Sequence, residues 1–524
     1  MLDEKQIREL VSEVLVLRGT ADWRDEEEQL LTHGDVQASQ IGGADADERA
    51  RYLRSLSPVP LLLMADTETG TGFARNGIAV PPLMALGAAD DEKLAGAWAT
   101  GVALEARRIG LDITWSPVLD VNVNPANPII NVRSLGQDET AVGRLGAALV
   151  RGFLAGGIHP CAKHWPGHGD VAVDSHISLA SLAADQATLE RREWLPYRSA
   201  VEAGLESVMT GHLLVPAIDA EHCATVSAEL IGLLKRDLGV PGPVFTDSLG
   251  MEGLRTTVDS AEAAWRALAA GHDMVLIDYK RPPAETFGAV CAACRDGRLT
   301  EARLRDAVRR VRRMKARRAT VPPLPADGDI RNEMQATAHQ VAAAAVTPWN
   351  WQAPPRLTGT RTHVVICDDL QRRAAAIADE SRDGAVAVDR HPAAQLVRQQ
   401  FTHGVTVLSE APDGEELEQA LGAAASAEAV VGFTFARISS YKGSGVRLPA
   451  PQRELWQRLA ARGHLQALLL FESPYAAADL PAGVPILIGY GADRFSLQAA
   501  VDALTGKAPA PGRLPVSVPR GSES

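Results

Sequence analysis

GIHPCAKHW (157–165) runs directly into PGHGDVAVDSH (166–176). The first stretch has the length and apolar content of a strand. The second holds Pro166, Gly167 and Gly169, so it cannot be a regular helix and reads as a loop leaving the strand that ends near Lys163. Lys163, His164, His168, Asp170, Asp174 and His176 all fall within fourteen residues. Such a concentration of ionisable side chains on a strand-end loop marks a site and not a core.

The same grammar repeats to both sides. PLLLMAD (60–66), LDITWSPVLD (111–120), SVMTGHLL (207–214), PVFTDSL (243–249) and DMVLID (273–278) are further strand candidates, and helical stretches such as 91–109 and 138–155 lie between them. Strand–helix alternation implies a parallel sheet. Polar groups recur where these strands stop, at Asp66, Asp120, Lys163, His164, His212, Asp247 and Asp278. A (β/α)₈ barrel gathers its functional groups at the C-terminal ends of its strands. A TIM-like barrel over 1–318 is therefore expected, with a doubly wound sheet as the structural alternative. The helix 300–318 is basic on one face and is expected to pack on the barrel wall with that face solvated.

TVPPLPADGDIR (319–330) has linker composition, and a helix over 332–345 and a Pro-containing stretch (349–360) complete a connecting region, 319–360. From 361 the pattern restarts with THVVICDD, GAVAVD, GVTVLSE, EAVVGFTFA, QALLLFES and VPILIGY, separated by helices such as 413–427 and 451–462. An α/β/α sandwich domain is expected over 361–524. It shows no Gly-rich phosphate loop, and Ser439–Gly445 is read as an exposed loop, with reach over the barrel mouth as the alternative.

Composition narrows the function classes. A net charge of −12 argues against nucleic acid as a partner. Aromatics make up 5%, so a sugar site here would rely on hydrogen bonds more than on stacked rings. No run of 18 apolar residues appears, so no membrane span is expected, and the N-terminus lacks the pattern of a signal peptide. The five cysteines read as reduced thiols in a cytoplasmic setting, and Cys291-x-x-Cys294 as helix thiols rather than a metal site.

Residue chemistry alone leaves three readings of 163–176: a hydrogen-bonded structural loop, a metal-dependent hydrolase using the His/Asp cluster, or proton transfer by a histidine that a carboxylate orients. The segment resembles the signature loop of glycoside hydrolase family 3 β-N-acetylglucosaminidases, Lys-His-Phe-Pro-Gly-His-Gly followed shortly by Asp-Ser-His. Trp165 replaces the usual Phe. PVFTDSLGMEG (243–253) is similar to the nucleophile strand of that family, and SPVLDVNVNPANPIINVRSLG (116–136) to its arginine-bearing segment; FESPYAAADLP and GRLPVSVP resemble its second domain.

The resemblance implies a retaining exo-β-N-acetylglucosaminidase that removes terminal GlcNAc through a covalent glycosyl-aspartate. It puts the nucleophile on Asp247 and the acid/base on His176 backed by Asp174. Substrate binding falls to Asp66, Arg133, Lys163, His164 and His212, with no cofactor and no metal. The expected partner is a small saccharide, as in cell-wall recycling. Phosphorolysis by the same fold is the alternative, because a histidine acid/base repels phosphate less than a carboxylate does. Where the family has Gly-Gly-Arg after the Asp-x-Glu, this chain has Thr69-Gly70-Thr71, and Ser248 follows the nucleophile where a second acid is usual.

Overall fold

Eight short runs of buried residues make the first sheet of the computed structural model: Leu15–Arg18 (β1), Ala38–Gln40 (β2), Leu62–Ala65 (β3), Ile113–Thr114 (β4), His159–Trp165 (β5), Ser207–Thr210 (β6), Val244–Thr246 (β7) and Val275–Leu276 (β8). The structure describes residues 2–18, 24–34, 36–175, 177–318, 321–351, 355, 357, 361–369, 391–398, 400–401, 404–438 and 447–519. All neighbours pair in parallel, in the order β7-β6-β5-β4-β3-β2-β1-β8. A parallel bridge between Phe245 and Met274 brings the two ends together into the expected TIM-like barrel. Val16, Met64, Ile113, Cys161, Met209 and Phe245 fill its interior.

The helices around it start and stop where side-chain chemistry directs. Asp91 caps Glu92–Ile109 through the amides of Lys93 and Leu94, and Gly110 ends it at φ 106°, a conformation that a Cβ disfavours. Asp138 caps Glu139–Ala155 in the same way. The basic helix Glu301–Arg318 sends Val311 and Met314 into the barrel core cluster. Several of its arginines are ion-paired: Arg312 meets Glu13 at 2.6 Å and Arg310 meets Asp306 at 3.3 Å. Cys291 and Cys294 lie on the helix Pro283–Arg295, the first buried and the second half-buried.

Three sequence expectations need adjustment. The strand read over 111–120 pairs as a ladder only at Ile113–Thr114, since Pro117 has no N–H to continue it, and a single bridge joins Val118 to Lys163. The strand read over 207–214 stops at Thr210. Leu213–Val215 joins Ala180–Ser181 and Asp219–Cys223 in a separate three-stranded sheet. The helix expected from 332 starts at Asp327, where Asp327 and Asp329 place negative charge on its first turn.

The second sheet has the order β9-β14-β13-β12-β10-β11, from Thr347–Trp349 (β9), Thr362–Asp368 (β10), Gly404–Ser409 (β11), Ala429–Ala436 (β12), Leu465–Glu472 (β13) and Ile486–Ile488 (β14). Only β9 runs antiparallel. Pro392–Arg398 and Gly414–Ala425 both pack on β10 and β11, and they pair with different helices, Arg494–Leu504 and Ala450–Ala461. Two helices that share a strand pair but not each other's company lie on opposite faces, which gives the α/β/α layering. GAVAVD (384–389) and Ser439–Gly445 lie outside the described residues.

Backbone proximity divides the chain into two units, one holding Met1–Ala79 and Asp91–Thr337, the other Val80–Asp90, Ala338–Ser439 and Ser444–Ser524. The division thus falls inside the helix Asp327–Ala345, and the short helix Leu83–Ala89 belongs with the second sheet, where the Arg513 amide donates to the Ala88 carbonyl at 3.0 Å.

Candidate functional site

Backbone hydrogen bonds carry the barrel past its strand ends and line up the polar residues there. The Leu119 amide donates to the Lys163 carbonyl (2.8 Å), Gly211 to Trp165 (2.9 Å), Asp247 to Thr210 (3.0 Å) and Leu249 to Leu276 (3.0 Å). Lys163, Asp247 and their neighbours therefore share one rim, the C-terminal rim on which this fold builds sites.

A four-charge cluster lies beyond β3 and β5. Lys163, buried to 2%, pairs with Asp66 and with Glu68 (2.6 Å). Arg133 grips the same Glu68 with both arms of its fork, Nε at 2.7 Å and Nη2 at 2.8 Å. Burial alone would raise the Glu68 carboxyl, but the charges of Arg133 and Lys163 outweigh it and hold the group well below the usual range. Burial likewise opposes the charged forms of Lys163 and Arg133. Asp66 and Glu68 reverse this for the lysine and Glu68 for the arginine, and both end above their ordinary values. Asp66 is the exposed member, with half of its side chain (51%) open to solvent. An open carboxylate beside an ammonium offers an acceptor and a donor side by side, the arrangement that fits neighbouring hydroxyls.

His164 and the start of the loop are organised by Asp120. Its carboxylate accepts from His164 Nδ1 (2.8 Å) and from the backbone amide of His168 (2.7 Å). Burial would raise Asp120, but the two histidines lower it. Asn127 Nδ2 donates to the His168 carbonyl (2.7 Å), and His168 Nε2 meets Ser175 Oγ at 2.9 Å. Burial, with the charge of His164, pushes the His168 imidazole down to about 4, so it is neutral near pH 7. Gly169 lies against the Val121 carbonyl, where a Cβ would overlap the oxygen.

The end of β7 is fixed from two sides. Asp247 Oδ1 accepts from the Ser248 amide at 2.6 Å. His212 Nε2 donates to the Ser248 carbonyl (2.8 Å), and its Nδ1 meets Thr225 Oγ1 (2.7 Å). His212 is fully buried, so it holds the Asp247 turn in place. The Gly253 amide, six residues past Asp247, donates to the Ser175 carbonyl at 3.2 Å. Asp174 is buried beside it. His176 lies outside the described residues.

Asp66, Lys163, Arg133 and His164 thus fall in two linked polar groups, and Asp247 and His212 in a third. Three participants escaped the sequence reading. Glu68 centres the charge cluster, and its signal was its place two residues after Asp66. In the sequence Asp120 reads as a strand end with no assigned role, and His168 only as a possible metal ligand. Among the described residues no three His, Cys, Asp or Glu side chains converge as a metal site. His164, His168 and Asp170 are instead spent on Asp120, Ser175 and Arg192.

Comparison with known proteins points in one direction. Residues 19–314 match the Glycosyl hydrolase family 3 N terminal domain. A beta-N-acetylglucosaminidase/beta-glucosidase of Cellulomonas fimi is 32% identical over 513 residues, covering 92% of this chain and 88% of that protein. A beta-hexosaminidase of Thiobacillus denitrificans is 34% identical over 237 residues, 43% of this chain and 65% of that protein. A solved glycoside hydrolase family 3 beta-N-acetylglucosaminidase from a Paenibacillus species superposes with a TM-score of 0.85 at 28% identity, covering 98% of both chains.

Proposed function

Because the chain belongs to glycosyl hydrolase family 3 and is a glycoside hydrolase, we propose that it is a retaining exo-β-N-acetylglucosaminidase that releases terminal GlcNAc. The observation that carries the reading is the bond between the Gly253 amide and the Ser175 carbonyl. It ties Ser175, the residue before His176 in the sequence, to the segment that begins at Asp247. In this reading Asp247 and the histidine that follows Ser175 in the sequence supply the two groups that retaining hydrolysis needs.

In this reading the Asp247 carboxylate attacks the anomeric carbon and expels the aglycone oxygen, which takes a proton from His176. The imidazole then removes a proton from water, and the resulting hydroxide displaces Asp247 and returns the sugar with its configuration retained. Asp174 orients the imidazole, and a histidine's ordinary range suits a group that must both give and accept a proton near pH 7. Asp66 and Lys163 bind sugar hydroxyls. Arg133 acts through Glu68, which it holds against Lys163. Asp120 aims His164 toward the sugar, and His212 positions the Asp247 turn.

The test compares nitrophenyl β-GlcNAc with nitrophenyl β-glucoside, in phosphate and in a phosphate-free buffer. The reading expects faster release from the GlcNAc substrate and free GlcNAc as the product in both buffers. Preference for the glucoside, or a sugar 1-phosphate as the main product in phosphate, would overturn it.

A further inference from the structure

The helix Glu301–Arg318 carries more cations than its neighbourhood has carboxylates to meet. Asp306 pairs with Arg303, Arg309 and Arg310, the last at 3.3 Å. Asp273 is shared by Arg303 and by Lys235, whose ammonium stands 2.7 Å away. Arg313 makes no hydrogen bond or ion pair among the described residues. It follows Arg309 by four residues and Arg310 by three, the spacing at which helical side chains are neighbours and like charges repel. Among the described residues, five cations thus share two carboxylates.

Lys235, Arg309, Arg310 and Arg313 line one cavity of about 240 Å³ together with residues 239–241, and among the described residues no carboxylate lines it. About 10–15 Å³ suffices for one water, so the cavity admits a polyatomic ion. Its walls are set in advance. Arg310 Nη1 donates to the Pro241 carbonyl at 2.9 Å. Lys235 lies on Leu233–Asp237, a wide helical turn closed by the Leu238 amide on the Leu233 carbonyl at 3.0 Å, and turns of this kind recur at functional positions. Burial holds the Lys235 ammonium down to about 8 against the pull of Asp273, and the charges of Arg303 and Arg310 push the same way. Gly239, at φ 71°, follows that turn, and a Cβ there would meet nothing, so the mouth is open on that side. Pro241 precedes β7 by three residues and Asp273 precedes β8 by two. The cavity therefore lies at the N-terminal ends of these strands, the end of β7 away from Asp247.

We propose that this cavity binds a small soluble molecule through a phosphate group, with Arg309, Arg310 and Arg313 as its ligands. A guanidinium fork matches the oxygens of a phosphate, and one phosphate accepts from several forks at once. The bound anion supplies the negative charge that the five cations lack. A lipid surface is the poorer fit, because interfacial binding adds apolar side chains to the basic ones, and none of the exposed large apolar side chains lines this cavity.

The experiment is isothermal titration of pyrophosphate, in a phosphate-free buffer at pH 7, into the full chain and into Arg313→Gln, Arg310→Gln and Arg305→Gln. Arg305 sits on the same helix, bonded to Glu301 and outside the cavity, so its replacement removes an equal charge without touching the site. The wild type should bind pyrophosphate one to one. A hydrogen bond to a charged group is worth about tenfold in affinity or more, so Arg313→Gln and Arg310→Gln should each weaken binding by about that factor. Arg305→Gln should stay within about twofold, since an exposed charge away from the site is screened. The ligand-free unfolding midpoint of Arg313→Gln should not fall, because no partner is lost, and this separates a binding defect from a folding one. No binding to the wild type, an affinity that Arg313→Gln and Arg310→Gln leave unchanged, or an equal loss in Arg305→Gln would overturn the proposal. So would sedimentation of the wild type, but not of Arg313→Gln, with phosphatidic acid vesicles. None of these outcomes depends on the glycosidase reading.

Discussion

Replacing Glu68 by glutamine keeps the shape of the charge cluster and deletes its centre. Arg133 loses two charged contacts (2.7 and 2.8 Å) and Lys163 loses one (2.6 Å). Lys163 keeps Asp66, half of which is solvated and which is therefore a weaker partner. Arg133 keeps a long contact to the Ile129 carbonyl at 3.3 Å. Removing one partner of a buried pair costs about 3–5 kcal/mol. The Arg133 side chain is 27% exposed, so water recovers part of this, and Glu68→Gln should cost about 2–4 kcal/mol at pH 7.

The sign of the pH dependence follows from the direction of the shift. Glu68 is held below its ordinary value by Arg133 and Lys163, which outweigh its burial. Its contribution is therefore complete above the unfolded value of about 4.3, and it is lost as pH falls through the lower folded value. Below about 4.3 the unfolded wild-type chain takes up a proton that the folded chain refuses, so the gap between wild type and Glu68→Gln narrows. Urea unfolding at pH 7, 5 and 4, followed by barrel tryptophans such as Trp98, Trp115 and Trp165, measures it. A second probe should follow the other unit, which holds Trp456. Equal midpoints at pH 7, or a gap that stays constant down to pH 4, would refute the reasoning.

Two further substitutions probe the rim. Gly169→Ala pushes a methyl into the Val121 carbonyl and should cost about 1–3 kcal/mol by thermal unfolding, with kcat/KM reduced about tenfold; an unchanged midpoint would contradict the packing. His212→Gln loosens the Ser248 carbonyl beside Asp247 and should lower kcat about 10–100-fold with KM within about twofold. If KM rose while kcat held, His212 would be binding substrate instead of holding the Asp247 turn.

What the sequence discloses, and what it hides, follows the range of the interactions. Helix limits are local, and Asp91, Asp138, Gly110 and Asp413 mark them within a residue. The strand ends Asp66, Lys163 and Asp247 are legible because alternation of strand and helix predicts which residues reach the rim. β1 and β2 are not legible, because runs of only three or four residues have no period to read. β9 is hidden among prolines, and its edge place follows from pairing with a strand 139 residues later. The role of Glu68 depends on residues 65 and 95 positions away, and that of Asp120 on a histidine 44 positions away. Arg133 reads as a substrate contact by resemblance; that its fork also closes on Glu68 is a pairing that residue type alone does not foretell.

The covalent step is the centre of the account, and it can be caught directly. A fluorosugar of the GlcNAc type that glycosylates fast and is released slowly should add one sugar to the wild-type chain, and peptide mass spectrometry should place it on Asp247. A sugar on another residue, or no adduct while the enzyme turns over its aryl substrate, would contradict the account.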